Sequence, residues 1–374
     1  MIMKLFIDRV NRRLSHIPTG EKIAIALSGG VDSSVSAFIL KELGYTVKGF
    51  YMQNWLDPRG NCHGEADWQM VESIGQQLDI PVELVNFSDE YWQSVFSVTL
   101  QDYARHITPN PDILCNREIK FSTLQRYTQN QGFKYLATGH YANIIQQGSS
   151  YQLQEAMDSE KDQTYFLCAL TENQIQHSIF PLGDLYKTEV KQIAKTIQLP
   201  NFDRKESMGI CFIEPKHFKQ FLMQYIPKTP GNIVDKDGHI LGQHDGLSFY
   251  TIGQRQGLGI GGHRGLTGPW YVVDKLSETN ELIVATQRML SHYNKYDFCI
   301  SPYHFINKAP EQNSQLQCKL RHGGQKHPVT IALAPPLANI TLEQPRSDIA
   351  SGQWAVFYDQ TICIGGGQIQ KYIL

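Results

Sequence analysis

The stretch that decides the fold is ALSGGVDSS at residues 26–34, which overlaps the end of an apolar run, KIAIAL, at residues 22–27. Apolar residues then recur at helical spacing through residues 31–43, so the sequence predicts a strand, a glycine-rich turn and a helix. Glycines let a backbone approach a ligand closely, and the first turn of a helix attracts negative charge. The turn is therefore predicted to bind phosphate, the alternative being a tight turn without a ligand.

An acidic residue stands where another phosphate-binding loop has a lysine. The GxxxxGK[ST] motif carries that lysine, whereas this turn carries Asp32. A carboxylate beside phosphates favours Mg²⁺, a hard cation that prefers oxygen ligands. We therefore predict Asp32 as a ligand that Mg²⁺ shares with bound phosphates, and no metal site built from protein ligands alone.

The first part of the chain alternates between strand and helix patterns. Strands are predicted at residues 45–52, 82–85 and 135–141, and helices at residues 65–78, 91–106 and 119–131. This alternation predicts an α/β fold with a doubly wound parallel sheet. Ligands of such sheets bind at the carboxyl ends of strands, where Ser28, Met52 and the Gly139-His140 pair should meet.

The pattern changes twice further along, which predicts three domains. Residues 1–168 should form the parallel-sheet domain, residues 169–229 a small helical central domain, and residues 230–374, with short alternating apolar runs and many glycines, a β-barrel or barrels. Basic residues of the central helices (Lys187, Lys191, Lys195, Arg204 and Lys205) and of the barrel domain are predicted phosphate-binding patches.

Composition limits the class of protein. A 374-residue chain with 41% hydrophobic and 19% charged residues is typical of soluble globular proteins, and its net charge of −2 does not by itself point to nucleic acid. No apolar run is long enough to span a membrane, and residues 1–20 predict a short extra helix rather than a signal peptide. Seven cysteines without zinc-site spacing favour free thiols and a cytoplasmic location.

Two cysteine-containing stretches are candidates for chemistry. In TPNPDILCN, residues 108–116, the prolines predict an extended loop that presents Asn110, Asp112 and Cys115. If Cys115 begins the next helix, the helix dipole favours its thiolate. In KESMGICFIE, residues 205–214, Cys211 lies in an apolar run. From the residues alone, a rigid connection and a buried structural thiol stay open as alternatives.

Taken together, these motifs resemble a known family. SGGVDSS is similar to the loop of the N-type ATP pyrophosphatases, also called the PP-loop superfamily. The ordered series SGGVDSS, TPNPDILCNREIKF, ATGHYA, KDQTYFL, ESMGICFIE, YTIGQRQGLGIGG and GQWAVFY resembles the tRNA-specific 2-thiouridylases, from about residue 22 to residue 374. That family thiolates the wobble uridine in the anticodon loop of certain tRNAs, in the cytoplasm.

The resemblance implies a PP-loop domain, a small central domain and a C-terminal β-barrel domain, with ATP and Mg²⁺ as cofactors. It also implies adenylation of the carbon-2 oxygen, sulfur transfer from a cysteine persulfide, and release of AMP and pyrophosphate. The persulfide would come from a cysteine desulfurase or a sulfur-relay protein. Two routes of sulfur delivery stay open: the terminal sulfur of the persulfide attacks directly, or the second reactive cysteine reduces it to free sulfide and a disulfide bond is left. Both routes require the two cysteine sulfurs to come close.

The resemblance also assigns roles to residues. ATP binding is expected at Ala26, Leu27, Ser28, Gly29, Gly30, Val31, Asp32, Ser33, Met52 and Gly139. The catalytic residues would be Cys115, Cys211 and Asp112, and the target base would meet Asn110, Pro111 and Asp112. Contacts with tRNA are expected at His140, Lys161, Asp162, Gln163, Arg321, His322 and Gln353.

Two departures from the family pattern and two rival functions remain. The family usually has Tyr-Arg after the arginine placed at Arg321, whereas this chain has His322 and Gly323, and Met208 replaces a threonine. The rivals are a small-molecule adenylating ligase of the same loop class and a non-enzymatic RNA-binding protein with a vestigial nucleotide site. Pyrophosphate release with and without tRNA distinguishes all three.

Overall fold

The computed structural model describes residues 2–55, 64–205, 215–261 and 269–370. The helices are α1 Ile2–Leu14, α2 Val31–Glu42, α3 Glu65–Leu78, α4 Ser88–Tyr91, α5 Ser97–Ala104, α6 Pro111–Leu114, α7 Gln125–Asn130, α8 Thr164–Leu167, α9 Glu172–Gln176, α10 Lys187–Thr196 and α11 Pro215–Leu222. Two π-helical segments, Trp92–Phe96 and Cys115–Leu124, and two 3₁₀ segments, Leu247–Phe249 and Gln287–Tyr293, complete the helical elements of the described chain.

The described strands run through all three domains. They are β1 Lys22–Ala26, β2 Thr46–Gln53, β3 Val82–Asn86, β4 Tyr135–Ala137, β5 Asn143–Gln147, β6 Ser150–Gln154, β7 Ser178–Ile179, β8 Gly231–Val234, β9 Ile240–His244, β10 Trp270–Leu276, β11 Glu281–Thr286, β12 Lys295–Phe305, β13 Ser314–Lys319, β14 His327–Ala334, β15 Leu337–Arg346, β16 Trp354–Asp359 and β17 Ile362–Ile369.

The predicted doubly wound sheet is confirmed. Its strands follow the order β3-β2-β1-β4-β7, and every pairing is parallel. Successive residues of β1 point to opposite faces of the sheet, so Ile23 and Ile25 enter one buried cluster while Ala24 and Ala26 enter another. Helices therefore cover both faces, and the carboxyl ends of the strands are the edge where a ligand can approach.

The segment predicted to be a separate helical domain is partly built into this sheet. β7 pairs with β4, and Val190 and Ile193 of α10 are buried in the same core as Val31 and Val35 of α2. The physical reason is burial: two strand residues at Ser178–Ile179 lie inside a segment whose spacing otherwise indicates helix. Helix α10 is thereby brought next to the glycine-rich turn.

The predicted barrel region contains two units. Strands β8 to β11 form a four-stranded sheet in the order β10-β11-β8-β9. Strands β12 to β17 form a closed six-stranded barrel, because β12 pairs with both β15 and β17. The hairpin β5–β6 of the first domain extends the barrel sheet, since β6 pairs with β17.

The N-terminal segment forms the extra helix that the sequence predicts. Phe6, Val10, Leu14 and Ile17 are buried in the core cluster that also holds residues of α2 and α10. No helix among the described residues is both long enough and apolar enough to cross a membrane.

The turn after β15 packs tightly on the first domain, and this contact makes a prediction. Gly352 has φ +89°, and a Cβ there would lie 2.2 Å from Ile107 Cγ2. We expect Gly352→Ala to lower the free energy of unfolding by about 3 kcal/mol, from backbone strain plus overpacking. Gly323→Ala is the matched control, because φ is +68° but nothing lies within 4 Å of the added Cβ, so about 1 kcal/mol is expected. Urea unfolding of both variants measures the difference, and equal losses would contradict the packing argument.

Candidate active site

The glycine-rich turn joins β1 to α2 at the carboxyl edge of the sheet. Gly29 has φ +73°, a conformation that glycine adopts without strain, and the helix begins at Val31. The Ser33 hydroxyl accepts a hydrogen bond from the Ser28 amide at 3.3 Å and donates one to the Gly30 carbonyl at 3.1 Å. The turn is thus fixed by its own side chains, with the amide end of α2 facing outward from the sheet.

The end of β4 lies directly against this turn. A Cβ at Gly139 would lie 2.6 Å from the Ser33 amide nitrogen and 2.9 Å from the Asp32 carbonyl carbon. Only a residue without a side chain allows this approach. The predicted meeting of Gly139 with the residues of the turn is therefore present.

Lysine 187 supplies the positive charge that the loop itself lacks. Its Nζ atom, on a side chain that is 9% exposed, lies 2.7 and 2.8 Å from the two carboxylate oxygens of Asp32. The Tyr141 hydroxyl donates a third hydrogen bond to Asp32 at 3.0 Å. Lys187 follows Asp32 by 155 residues, and the change to a helical pattern in the sequence places it in a separate central domain.

A basic cavity of about 470 Å³ opens beside the first residue of α2. Its lining residues are Val31, Lys187, Lys191, Phe202, Asp203, Arg204 and Lys205. Four of these seven carry positive charge, and the cavity adjoins a helix N-terminus, so the arrangement fits a polyanion such as a triphosphate. Four of the five basic residues that the sequence assigned to a phosphate-binding patch of the central helices therefore line the predicted nucleotide site, and Lys195 does not.

Two further side chains hold the turn from the α10 side. Asn201 Nδ2 donates to the Gly29 carbonyl at 2.9 Å and to the Ser34 hydroxyl at 3.0 Å. Arg204 Nη1 donates to the same Gly29 carbonyl at 3.2 Å, while its Nη2 atom pairs with Asp67. The sequence places Arg204 in a phosphate-binding patch because of its charge, whereas no sequence pattern points to Asn201.

The loop residues fit ATP better than a protein-held Mg²⁺. Both Asp32 oxygens are hydrogen-bonded to Lys187, so this carboxylate is already neutralised. Mg²⁺ commonly keeps waters and phosphate oxygens as most of its ligands. Magnesium therefore stays a prediction, in which it arrives on the phosphates of ATP.

In the stretch TPNPDILCN, residues 108–116, the helix begins earlier in the sequence than predicted. Helix α6 begins at Pro111, and the side chain of Asn110 caps it by accepting a hydrogen bond from the Ile113 amide at 3.4 Å. Cys115 is therefore in the second turn, and its amide bonds to the carbonyls of Pro111 and Asp112. The expected activation of the Cys115 thiolate by the helix start is wrong, because the dipole acts over the first turn.

The acidic residue of this stretch has an unusual proton affinity. Burial raises the pKa of the Asp112 carboxyl from 3.8 to about 6, and the charge of Lys120 lowers it by a smaller amount. A carboxyl with a pKa near neutrality can both accept and donate a proton under physiological conditions. The predicted acid/base role of Asp112 is thus chemically feasible.

The helix of Cys115 and the nucleotide turn lie on either side of the Gly139-His140 pair. Gly139 packs on the turn, while the His140 ring lies 5.8 Å from the ring of Phe121, in the π-helical segment that begins at Cys115. Burial, with the nearby charge of Lys120, holds the pKa of His140 well below its ordinary value, so the ring is neutral. One short segment therefore links the two predicted halves of the site.

The barrel and the unit that contains β8 to β11 both fix the loop of the first domain that precedes Asn110. The Gln353 side chain donates to the carbonyls of Thr108 at 3.0 Å and Pro109 at 3.2 Å, and the Thr108 amide donates to the Ser351 carbonyl at 3.1 Å. Thr251, which lies between β9 and β10, has its hydroxyl 3.2 Å from that of Thr108. Gln353, predicted to contact tRNA, thus holds the loop of the target-base residues.

Comparison with known proteins gives a family for each domain. Residues 21–215 match the tRNA methyl transferase HUP domain, residues 219–286 the tRNA methyl transferase PRC-barrel domain, and residues 295–369 the aminomethyltransferase beta-barrel domain. The tRNA-specific 2-thiouridylase MnmA 1 of Geobacillus kaustophilus is 42% identical over 94% of this chain and 96% of its own. The MnmA 2-thiouridylase of Legionella pneumophila strain Lens is 42% identical over 94% of this chain and 99% of its own.

The chain belongs to the tRNA-specific 2-thiouridylase family. Among solved structures, the U34-tRNA thiolase NcsA of Methanococcus maripaludis, determined with its [4Fe-4S] cluster, is similar at 18% identity and a TM-score of 0.39, over 60% of this chain and 70% of its own.

The predicted tRNA-contacting residues of this 2-thiouridylase lie in different environments. Asp162 is 4% exposed, accepts a hydrogen bond from the Thr164 hydroxyl at 2.7 Å and pairs with Lys319 at 3.2 Å. Gln163 accepts a hydrogen bond from the Tyr141 amide at 3.0 Å, and Lys161 is partly exposed beside them. Asp162 therefore connects this segment to Lys319 of the barrel, and Lys161 is more exposed to solvent than Asp162.

The basic stretch of the barrel divides into paired and exposed cations. Lys319 and Lys326, which the sequence predicts as part of a phosphate-binding patch, both pair with Glu155 of the first domain, at 3.1 and 2.7 Å. Arg321 is 64% exposed, and its Nη2 atom lies 3.8 Å from Asp348 Oδ2. The His322 ring stacks on that of Phe166 with centroids 4.4 Å apart, so the family's Tyr-Arg pair is replaced here by a ring that is anchored to the first domain.

The second reactive cysteine of the 2-thiouridylase pattern, Cys211, lies outside the described residues, as does the departure at Met208. Its distance from Cys115 therefore stays untested. No disulfide bond joins two cysteines of the described chain. The apolar runs around Cys168, Cys299, Cys318 and Cys363 predict that all four lie in the core. Cys168, Cys318 and Cys363 are buried, and burial raises the pKa of each thiol, whereas Cys299 is only partly buried.

The raised pKa of Asp112 predicts a pH-dependent stability. Between pH 3.8 and about 6 the folded protein binds more protons at this site than the unfolded chain, so stability falls as the pH rises. Asp112→Asn removes this effect, and we expect the variant to gain on the order of 2 kcal/mol over the natural protein between pH 4 and pH 7. Thermal and urea unfolding measure it, with the exposed Asp89→Asn as the control. A gap between Asp112→Asn and the natural protein that does not change with pH would contradict it.

Proposed function

We propose that this chain, a tRNA-uridine 2-sulfurtransferase by family, uses ATP to replace the carbon-2 oxygen of the wobble uridine with sulfur. The observation that carries the proposal is the Gly139-His140 pair, which contacts both the nucleotide turn and the helix of Cys115. Adenylation chemistry and sulfur chemistry must act on one atom, and this pair lies between the residues for each. A cytoplasmic location is part of the same proposal.

In the first step the uridine carbon-2 oxygen attacks the α-phosphorus of ATP, and the bond to pyrophosphate breaks. The Ser28–Ser33 turn and the basic cavity with Lys187, Lys191 and Arg204 stabilise the negative charge of the leaving group. Magnesium carried by the phosphates would add positive charge there. Asp112 accepts the proton that the base loses from N3 as its oxygen becomes adenylated.

In the second step sulfur bonds to carbon 2, and the carbon–oxygen bond to AMP breaks. The sulfur comes from a persulfide on Cys211, supplied by a cysteine desulfurase or a sulfur-relay protein. In one route its terminal sulfur attacks carbon 2 directly; in the other Cys115 first releases sulfide. Attack of Cys115 on the Cys211 sulfur cleaves the persulfide bond in either route, and the resulting disulfide needs a thiol reductant. Asp112 returns its proton to N3.

The target base must leave its stack to reach Asp112 and Cys115. Enzymes that modify a base extrude it into a closed pocket, which also keeps water from reactive intermediates. The loop that carries Asn110 and Pro111 is suited to receive the base, because Gln353 and Thr251 keep it in one place. Arg321, Lys161 and His140 are proposed to contact the tRNA around it.

Replacing either proposed reactive cysteine should abolish thiolation. We expect Cys115→Ser and Cys211→Ser to form no 2-thiouridine in the presence of tRNA, ATP, a cysteine desulfurase and cysteine, while ATP binding is retained. Mass spectrometry of digested tRNA measures the product. Cys299→Ser, in the barrel, is the control and should remain active. Full thiolation by the Cys115 or Cys211 variant would overturn the sulfur-transfer mechanism, and pyrophosphate release that depends on an amino acid instead of tRNA would favour the ligase.

The exposed arginine of the barrel predicts a salt effect. If Arg321 contacts one phosphate, Arg321→Gln should reduce the slope of log K against log salt concentration by about 1. Filter binding of tRNA between 50 and 200 mM salt, a range chosen for the size of this effect, measures the slope. Lys308→Gln, another exposed cation of the barrel, should leave it unchanged. An unchanged slope for Arg321→Gln would exclude this contact.

A further inference from the structure

Helix α1 precedes the segment that matches the HUP domain, and it is tied to the nucleotide site by two arginines. Arg9 Nη2 pairs with Glu189 Oε1 at 2.5 Å. Arg13 makes a two-point contact with Asp184, through Nε at 2.9 Å and Nη2 at 2.7 Å. All four side chains are 19 to 30% exposed, so these pairs are partly shielded from solvent.

The two acids bracket the lysine that holds Asp32. Asp184 precedes Lys187 by three residues, and Glu189 follows it by two. Glu189 also caps α10 by accepting a hydrogen bond from the Tyr186 amide at 2.9 Å. The ion pairs with α1 therefore help to fix the position of the first turn of α10.

The backbone of that turn has a further anchor. The Lys187 amide donates to Asp158 Oδ2 at 2.9 Å, and Met157, the preceding residue, accepts a contact from Arg9 Nη1 at 3.8 Å on its sulfur. Asp158 and Met157 thus lie between α1 and Lys187.

The apolar face of α1 keeps the arginines in register. Phe6, Val10 and Leu14 are buried in the same cluster as Val35 of α2 and Val190 of α10. One helix therefore packs against both elements that the Asp32–Lys187 ion pair joins. A change in the position of α1 must therefore alter the distance between α2 and α10.

We propose that α1 is a brace for ATP use, with Arg9 and Arg13 as positioning residues that hold the Lys187 ammonium at Asp32. The inference rests on the proposed function, because it assigns Lys187 to the ATP phosphates. The arginines touch neither ATP nor tRNA. Their effect passes through the first turn of α10 and the ammonium group at its beginning.

The test is the double variant Arg9→Gln, Arg13→Gln in the full chain. Loss of two partly shielded ion pairs should raise the KM for ATP about five- to tenfold, because ion pairs that are partly exposed contribute modestly. The KM for tRNA should stay within about twofold, because tRNA is proposed to contact other residues. Pyrophosphate release is measured with ATP or tRNA varied, below the melting temperature of each variant.

Controls separate positioning from general stability. Arg12→Gln changes the exposed arginine between the two and should leave both KM values unchanged. Arg13→Lys keeps a charge opposite Asp184 and should recover part of the ATP effect relative to Arg13→Gln. If the double variant does not fold, Arg13→Gln alone is measured against Arg13→Lys in the same way.

Two results overturn the brace. One is an unchanged KM for ATP in a folded variant that lacks both arginines. The other is an equal rise in the KM values for ATP and tRNA, which would indicate a general loss of structure. Failure of the natural protein itself to release pyrophosphate with tRNA would instead overturn the proposed function, so the two failures are distinguishable.

Discussion

The ion pair between Asp32 and Lys187 is the interaction on which the site depends. It joins a turn near the start of the chain to a helix 155 residues later, and the lysine is almost fully buried. A buried ammonium is costly without a partner, so the pair requires that α2 and α10 keep a fixed separation. The shared core beneath them and the Asn201 and Arg204 contacts with Gly29 satisfy this requirement. The cation that other phosphate loops carry in their own sequence is supplied here by tertiary packing.

A second constraint concerns the loop before Asn110. Gln353 of the barrel holds the backbone of this loop, and Thr251 of the unit that contains β8 to β11 contacts the Thr108 side chain. Helix α6 begins directly after the loop. The three domains thus meet at one short segment of chain. Asp112, whose pKa is raised by burial, lies two residues after Asn110 at the start of α6.

Local sequence was sufficient for much of the fold. The doubly wound sheet followed from alternating apolar patterns, and the loop at Ser28 followed from its glycines and the helix behind it. Two features could not be predicted in this way. β7 is two residues long, too short for any periodicity, and it is a strand because β4 offers an open edge. The sequence predicts Cys115 in the first turn of a helix, whereas it lies in the second turn. Pro111 is predicted as part of a rigid loop, although proline is equally favourable as the first residue of a helix.

The hairpin β5–β6 makes the barrel inseparable from the first domain. Strand β6 of this hairpin hydrogen-bonds to β17, and the Glu155 amide that follows β6 donates to the Thr361 carbonyl at 2.9 Å. Removing the barrel would leave this edge bare, with its backbone groups open to pairing with other chains. The first domain therefore does not form a separate folding unit. Recombination in evolution could exchange it only together with the barrel strands that pair with its β5–β6 hairpin.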